Sequence, residues 1–211
     1  MDKDLGVTQK TAWFMLHRIR ESLVDNNSFI SYGIAEVDET YMSRKYVSEY
    51  QFIPPEESAR LEKITKKRNL GAVLGIKHRG GKIVVKAAER ANAKAISDVV
   101  KANVSTDVQL MTDEALKYRK VLKEYNRQTT NHSNGEWVRG KVHTNGVENF
   151  WSVRKRGIHG IYHKISYKHL QNYCNEFAFR FNTRDLIEGN RFKKSFKQIN
   201  CRTTYKQLTE K

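Results

Sequence analysis

The sequence predicts an α/β fold, a mixed sheet flanked by helices, with a short helical segment before it. Two observations lead to this prediction. Short apolar runs of β-rich composition recur along the chain, and two of them surround a Gly-Gly turn. The segments between and after these runs carry apolar residues at helical spacing. A hairpin beside a strand–helix–strand unit gives a mixed sheet, and helices cover its faces.

The first helix is expected over residues 8 to 24. Thr8 is a residue type that begins helices, and apolar residues recur on one face of the segment. Because Gly6-Val7-Thr8 precedes this basic helix, the segment resembles the turn and second helix of a helix-turn-helix. Residues 1 to 27 are therefore interpreted as part of such a DNA-binding motif, although a basic amphipathic helix is more often only a surface helix.

Four apolar runs with turn signals between them predict the strands. The two middle runs surround the Gly-Gly turn, which predicts a β-hairpin. A polar stretch over residues 44 to 68 is interpreted as a loop before this hairpin. A helix over residues 92 to 103 precedes the last run, and another helix is expected after it. The runs are Ile30 to Val37, Leu70 to Lys77, Lys82 to Ala88 and Val108 to Met111.

Two helices are predicted to close the domain. They follow a polar segment, residues 126 to 144, which is interpreted as a loop with room for one strand. The helices are expected near residues 145 to 156 and 166 to 183, and Ser166 is expected to cap the second.

The predicted order of elements is the arrangement of the ribonuclease H fold. Strand, hairpin, helix, strand, helix, loop and two helices follow one another over residues 28 to 184, which we interpret as one catalytic domain. Residues 185 to 211 are interpreted as a basic tail of irregular structure.

Charge points to a polyanionic partner. The chain has 211 residues and a net charge of +16, from 39 Lys and Arg against 23 Asp and Glu. A nucleic acid is favoured over a membrane, because the sequence has no basic amphipathic helix with a broad apolar face. A basic structural protein would have similar charge. No run reaches the roughly 18 apolar residues of a membrane span, and no secretory signal is recognised.

Cysteine content is low. Cys174 and Cys201 are too few for a disulfide framework or a zinc cluster. Cys174 falls in an apolar helical pattern and is expected in the core. A reducing cytoplasm is therefore the expected location.

Two aspartates follow apolar runs and are candidates for a metal site. Asp38 and Asp113 each come just past a predicted strand, where open α/β sheets place their sites. Carboxylates that meet there repel unless a cation lies between them, and Mg²⁺ prefers oxygen ligands. For either residue alone, a turn-forming role explains its position equally well. Glu39 and Glu114 are ranked lower, because neighbours in a strand point to opposite faces.

A third carboxylate, Glu148, lies on a predicted helix. At about 100° per residue, Glu148 and Lys155 fall on one edge of this helix, beside an apolar face that includes Trp151. The helix can then bury Trp151 in the core and present a carboxylate and an ammonium group to a common site. A partly exposed helix with an unrelated Glu and Lys fits the same periodicity.

The spacing of these residues resembles the DDE transposase and retroviral integrase superfamily. Glu148 follows Asp113 by 35 positions, and Lys155 follows Glu148 by seven. Several strings are closer still to bacterial insertion-sequence transposases, and the resemblance runs from about residue 5 to 184. They are Val37-Asp38-Glu39-Thr40-Tyr41, Thr112-Asp113-Glu114, His143-Thr144-Asn145-Gly146-Val147-Glu148-Asn149-Phe150-Trp151-Ser152, Lys155-Arg156-Gly157-Ile158, His159-Gly160-Ile161-Tyr162-His163 and Asn175-Glu176-Phe177-Ala178-Phe179-Arg180-Phe181-Asn182.

The resemblance implies a role for each of these residues. Asp38, Asp113 and Glu148 would bind the catalytic metals, two ions of Mg²⁺ or Mn²⁺, and Lys155 would contact DNA near the cleaved phosphate. His143 is a further candidate to orient a carboxylate or touch a phosphate, although an isolated loop histidine is more often only solvated. Further candidates for DNA contacts include Asn145, Arg154 and Arg156.

The resemblance also implies the reaction and the partners. Such enzymes cleave element ends and join them to target DNA, acting as multimers on double-stranded DNA. Relatives carry an N-terminal zinc ribbon and a complete helix-turn-helix, so this sequence is expected to be an N-terminally truncated member. Two alternatives remain open: a ribonuclease H-like nuclease without strand transfer, and an inactive remnant that only binds DNA.

Overall fold

A computed structural model gives the fold of the chain. The loop predicted over residues 44 to 68 and Cys201 lie outside the part of the chain that it describes. The described residues are 2–24, 29–41, 71–131, 134–163, 165–196 and 203–210.

The predicted mixed sheet is confirmed, and five strands form it in the order β3-β2-β1-β4-β5. β1 pairs antiparallel with β2, and β2 with β3, which is the predicted hairpin. β1 pairs parallel with β4, and β4 with β5. With its flanking helices, this sheet is a ribonuclease H-like α/β fold. The strands are β1 Ile34–Tyr41, β2 Ala72–His78, β3 Ile83–Ala88, β4 Gln109–Thr112 and β5 Arg127–Thr129.

Eight α-helices occur in the described part of the chain. The predicted N-cap of the second is confirmed, because the Thr8 side chain accepts a hydrogen bond from the Thr11 amide at 3.2 Å. The helices are α1 Asp2–Leu5, α2 Gln9–Ser22, α3 Ala93–Asn103, α4 Leu116–Val121, α5 Asn145–Gly157, α6 Leu170–Asn182, α7 Glu188–Phe196 and α8 Tyr205–Thr209. None of the described helices combines the length and apolar character that a membrane crossing requires.

The two faces of the sheet are covered differently. Ala35 and Val37 of β1 belong to an apolar core that also contains Ile96 and Val100 of α3 and Tyr118 of α4. Side chains alternate between faces along a strand, so the residues between them face the other side. There α5 packs on β1 and β2, and its Val147, Phe150 and Trp151 are buried.

Several predicted boundaries were wrong. β1 begins at Ile34 and continues to Tyr41, because β2 pairs with it as far as Tyr41 and Ala72. Asp38 therefore lies inside the strand and not just past its end. A π-helical segment, Ile158–Tyr162, continues α5, and a 3-10 turn precedes α6. Ser166 is at the N-cap position of that turn without a side-chain capping bond.

The described part of the C-terminal segment contains two helices where an irregular tail was expected. α7 and α8 both lie in it, and α8 begins with a capping box between Thr204 and Gln207. Both helices are short and contain few apolar residues, although Phe192 and Phe196 do have helical spacing.

The chain divides into two compact units. The larger, Asn27–Gln171, contains the whole sheet with α3, α4 and α5. The smaller combines Met1–Asn26 with Asn172–Lys211. Within the smaller unit, Arg20 Nε donates to Glu176 Oε2 at 2.7 Å, and both side chains are buried. Cys174, expected in the core, is buried. The helix-turn-helix interpretation of residues 1 to 27 stays a prediction.

Candidate active site

Three carboxylates from three separate elements line one cavity of about 330 Å³ in the larger unit. Asp38 comes from β1, Asp113 directly follows β4, and Glu148 lies in the first turn of α5. The parallel pairing of β1 with β4 brings the two aspartates to neighbouring strands. The cavity is lined by Asp38, Glu39, Thr40, Asp113, Trp137, Glu148, Trp151, Ser152 and Lys155.

Asp38 points toward α5, where Trp151 Nε1 donates a hydrogen bond of 2.9 Å to its Oδ2. The pKa of Asp38 is raised from an ordinary 3.8 to about 7, chiefly by burial. The negative charges of Asp113 and Glu148 also raise this pKa. The bond from Trp151 and the positive charge of Lys117 act in the opposite direction. The charges of the other two carboxylates thus act on the pKa of Asp38, as expected for members of one site.

Asp113 and Glu148 are each held by a local hydrogen bond. Asp113 Oδ1 accepts from the Ala115 amide at 3.0 Å, a side-chain turn that leads into α4. Glu148 Oε1 accepts from the Thr144 hydroxyl at 2.6 Å, at the N-terminal end of α5. A carboxylate in the first turn of a helix also interacts favourably with the helix dipole. Both side chains are therefore oriented before any ligand binds.

Glu39 is engaged on the opposite face of β1, as the alternation of side chains requires. The Tyr118 hydroxyl donates to Glu39 Oε2, and the Lys117 ammonium group contacts Glu39 Oε1. Burial lowers the pKa of Lys117, although the charge of Asp38 raises it. Sequence reasoning missed Lys117, because a lysine in a short polar helix carries no signal of its own.

The donor chemistry of the cavity suits a hard divalent cation. Its carboxylate oxygens are the ligands that Mg²⁺ and Mn²⁺ prefer. Among the described residues, however, no three His, Cys, Asp or Glu side chains stand in an arrangement that could hold a metal ion. The three carboxylates therefore share a cavity without forming a finished coordination site.

A second buried carboxylate, Glu36, fixes the start of α5. Its side chain is 1% exposed, and its Oε2 accepts from the Val147 amide at 3.0 Å. Arg79 Nε donates to Glu36 Oε1 at 2.8 Å, and Arg79 Nη2 donates to the His143 carbonyl at 2.8 Å. A Cβ on Gly146 would lie 2.7 Å from Glu36 Oε2. This network holds the segment from which Glu148 projects.

The network was also missed from the sequence. Glu36 alternates with apolar Ala35 and Val37, a pattern typical of a strand with one face in water. That face is covered by α5 instead. Because Glu36 and Arg79 are 43 positions apart, their pairing depends on the β-hairpin and not on any local spacing.

The residues predicted to contact DNA do not all lie at the acidic cavity. Lys155 lines the cavity, and it and Arg156 are exposed. Asn145 is exposed at the first position of α5. His143 Nδ1 lies 3.5 Å from Glu36 Oε1, so it neighbours a carboxylate outside the acidic cavity.

Arg154 departs from the surface role predicted for it. It is 1% exposed, and its guanidinium carbon lies 5.1 Å from the Trp151 ring centre. Burial removes Arg154 from the surface available to DNA. Trp151, predicted to be core, is 4% exposed.

Comparison with protein families identifies most of the chain. The model of the ISXO2-like transposase domain matches residues 31–182, well over half of the chain. The chain belongs to the ISXO2-like transposase family. The matched region of this transposase domain contains all five strands and every residue that lines the acidic cavity. A comparison with curated proteins found no match.

Proposed function

We propose that this transposase-family chain is a DDE-type DNA transposase that cleaves and joins insertion-sequence DNA with Asp38, Asp113 and Glu148. The observation that carries this proposal is the single cavity lined by all three carboxylates, within the region that matches a transposase domain. We extend the proposal to its partners, which are double-stranded DNA at the element ends and the target, bound by an oligomer of the chain in the cytoplasm.

The proposed cofactor is Mg²⁺ or Mn²⁺, in two ions held by the three carboxylates. Such ions, when bound, activate an attacking oxygen and stabilise a leaving one. The surroundings of Asp38 support a cation site, because the charges of Asp113 and Glu148 add to burial in raising its pKa, and a cation would relieve their repulsion. Completing the site requires the carboxylates to move together, since they do not form a finished arrangement.

The proposed reaction has two in-line displacements at phosphorus. In the first, a water oxygen bonds to the phosphorus at the element end while the bond to the 3′-oxygen breaks, which frees a 3′-hydroxyl. In the second, that hydroxyl loses its proton and bonds to a target phosphorus, whose own 3′-oxygen leaves. Lys155, exposed at the cavity, would neutralise charge on the phosphate as it develops. No Ser or Tyr nucleophile is required.

The decisive experiment is strand transfer by the purified chain, with Mg²⁺ or Mn²⁺ and DNA that carries the element's own end sequence. Asp113→Asn and Glu148→Gln are each expected to abolish joining. Glu124→Gln is the matched control, because Glu124 is an exposed acid paired with Lys101 outside the cavity.

Other outcomes of the strand-transfer experiment would indicate a different function. Metal-dependent cleavage without joined products would indicate a ribonuclease H-like nuclease. Salt-sensitive DNA binding with neither activity would indicate a binding-only protein.

A further inference from the structure

Trp137 is an exposed aromatic side chain in the wall of the acidic cavity. It is 60% exposed, whereas Trp151, which lines the same cavity, is 4% exposed. Trp151 is fixed by its bond to Asp38 and by packing. Trp137 instead presents a broad aromatic surface to solvent beside the carboxylates.

The segment that carries Trp137 is anchored on both sides of it. The Glu136 amide donates to the Asn131 carbonyl at 2.9 Å. Arg139 Nη2 donates to the Thr129 carbonyl of β5 at 3.0 Å, and the Arg139 and Val142 backbones exchange two bonds of 3.0 Å. These bonds tie Trp137 to the edge of the sheet, so its place at the cavity is set by the fold.

The proposed chemistry of the cavity indicates which kind of ligand the Trp137 ring would contact. Burying an aromatic ring is favourable, and proteins that hold single-stranded nucleic acid expose such rings for bases to stack on. In the proposed function, a DNA phosphate enters the acidic cavity, so nucleobases of the same strand come next to it. A paired base inside a duplex already has neighbours on both faces. Only a base at a strand end, or one displaced from its stack, has a free face to offer.

We infer that Trp137 stacks on an unpaired nucleobase adjacent to the phosphate that the acidic cavity binds. This inference rests on the proposed function and adds a subsite to it. Stacking on a ring tolerates any base, because every base has a π face. Trp137 would therefore hold the strand end in place without reading its sequence.

The test compares the binding of two DNAs by wild type, two Trp137 variants and one control variant. One DNA is a duplex with a single-stranded thymidine extension, and the other is identical except that the extension's nucleotides are abasic. Full-length wild type, Trp137→Ala and Trp137→Phe are compared by fluorescence anisotropy with Ca²⁺, after gels confirm that the DNA stays intact. Stacking of about 1–3 kcal/mol per base predicts that Trp137→Ala weakens binding of the thymidine DNA about 5- to 150-fold.

Three further readouts separate stacking from a general effect on the segment. Trp137→Ala should bind the abasic DNA as wild type does, and Trp137→Phe should retain most of the affinity for thymidine DNA. The salt dependence of binding should not change, because stacking releases no counterions. Trp13→Phe, in the smaller unit, is the control for loss of a tryptophan.

Two results would overturn the inference. One is equal loss of affinity for both DNAs, which would assign Trp137 to the shape of the segment. The other is no loss for either DNA. Both leave the proposed function standing if Asp113-dependent strand transfer persists. If wild type neither joins DNA nor binds it, the proposed function itself has failed.

Discussion

Asp38 is an ionisable group in a buried position of a central strand. Its pKa near 7 means that folding favours the protonated carboxyl group over the carboxylate. In the unfolded chain the carboxyl group ionises near its ordinary pKa of 3.8. The folded state therefore binds a proton that the unfolded state releases between these two values.

The first prediction concerns the pH dependence of stability in metal-free protein. The contribution of Asp38 is fully present below about pH 4 and is lost as pH rises through about 7. The difference between the two pKa values corresponds to about 4 kcal/mol at most. Urea denaturation from pH 4 to pH 8 measures this fall in the free energy of unfolding.

Asp38→Asn is the control, because an amide does not titrate. Between pH 4 and pH 7, the free energy of unfolding of Asp38→Asn should fall less than that of wild type, because the part contributed by Asp38 is missing. If Asp38→Asn and wild type have the same pH profile, Asp38 is not the titrating group. Adding Mg²⁺ should raise the melting temperature of wild type more at pH 8 than at pH 5, since the carboxylate form binds the cation.

The second prediction concerns the buried pair of Glu36 and Arg79. Glu36→Gln leaves the Arg79 guanidinium without its charged partner, and Arg79 is only 22% exposed. Removing one partner of a buried pair costs about 3–5 kcal/mol, and partial exposure places this case at about 2–4 kcal/mol. Urea denaturation measures the loss.

Glu124→Gln is the matched control for Glu36→Gln, because Glu124 and Lys101 are both about half exposed. Breaking such a surface pair costs less than about 1 kcal/mol. Equal losses in the two variants would refute the anchoring role of Glu36. A smaller loss for Glu36→Gln when Arg79 is also changed to Gln would confirm that the two side chains act as a pair.

At the scale of elements, the packing of α5 on the sheet depends on a glycine. Gly75 lies opposite Asp38 in the β1–β2 pair. A Cβ at Gly75 would lie 2.6 Å from Trp151 Cζ2 and 3.1 Å from Val147 Cγ2. The missing side chain allows Trp151 to lie against the strand and reach the Asp38 carboxyl group.

The third prediction is that Gly75→Ala destabilises the protein and impairs the site together. Overpacking costs about 1–3 kcal/mol, because the indole ring must move away from the sheet. That movement would lengthen the Trp151–Asp38 hydrogen bond and reduce strand transfer. Gly160→Ala is the control, since a Cβ there meets nothing within 4 Å. A Gly75→Ala protein as stable and active as Gly160→Ala would show that the close approach is unimportant.

The elements that sequence reasoning placed correctly are those with local signals. The β2–β3 hairpin follows from its Gly-Gly turn, and α2 from Thr8 and its apolar spacing. The end of β1 was misplaced because pairing with β2, across a long stretch of sequence, extends the strand to Tyr41. Local patterns carry no information on such partners.

The candidate site, like the fold, could be predicted from the sequence only in part. Asp113 and Glu148 were chosen by spacing and family resemblance, and the structure brings both to one cavity with Asp38. The network around Glu36 could not be foreseen, because a polar residue on an alternating strand predicts exposure. Trp137 lies in a polar segment, where no periodicity distinguishes a ring at the cavity from any other surface residue.

At the scale of the whole molecule, a chain with net charge +16 contains a cavity lined by three carboxylates and one lysine, besides Glu39 and its uncharged lining residues. Binding of DNA by such a chain releases counterions from each phosphate that is neutralised, so affinity falls steeply with salt. Most basic residues add to this attraction without specific placement. Lys155 differs, because it lines the cavity where the reacting phosphate is proposed to lie.

The fourth prediction uses this difference. Lys155→Gln should lower the slope of log affinity against log salt by about 0.9, the value for one lost phosphate contact on duplex DNA. Lys101→Gln removes the same charge from an exposed site on α3, paired with Glu124 and on the other side of the sheet from α5, and should leave the slope nearly unchanged. Anisotropy titrations at several salt concentrations give the slopes. If the two variants change the slope equally, Lys155 contributes only to the general field of the molecule. A slope change confined to Lys155→Gln, together with slower strand transfer, would place the DNA phosphate at the acidic cavity.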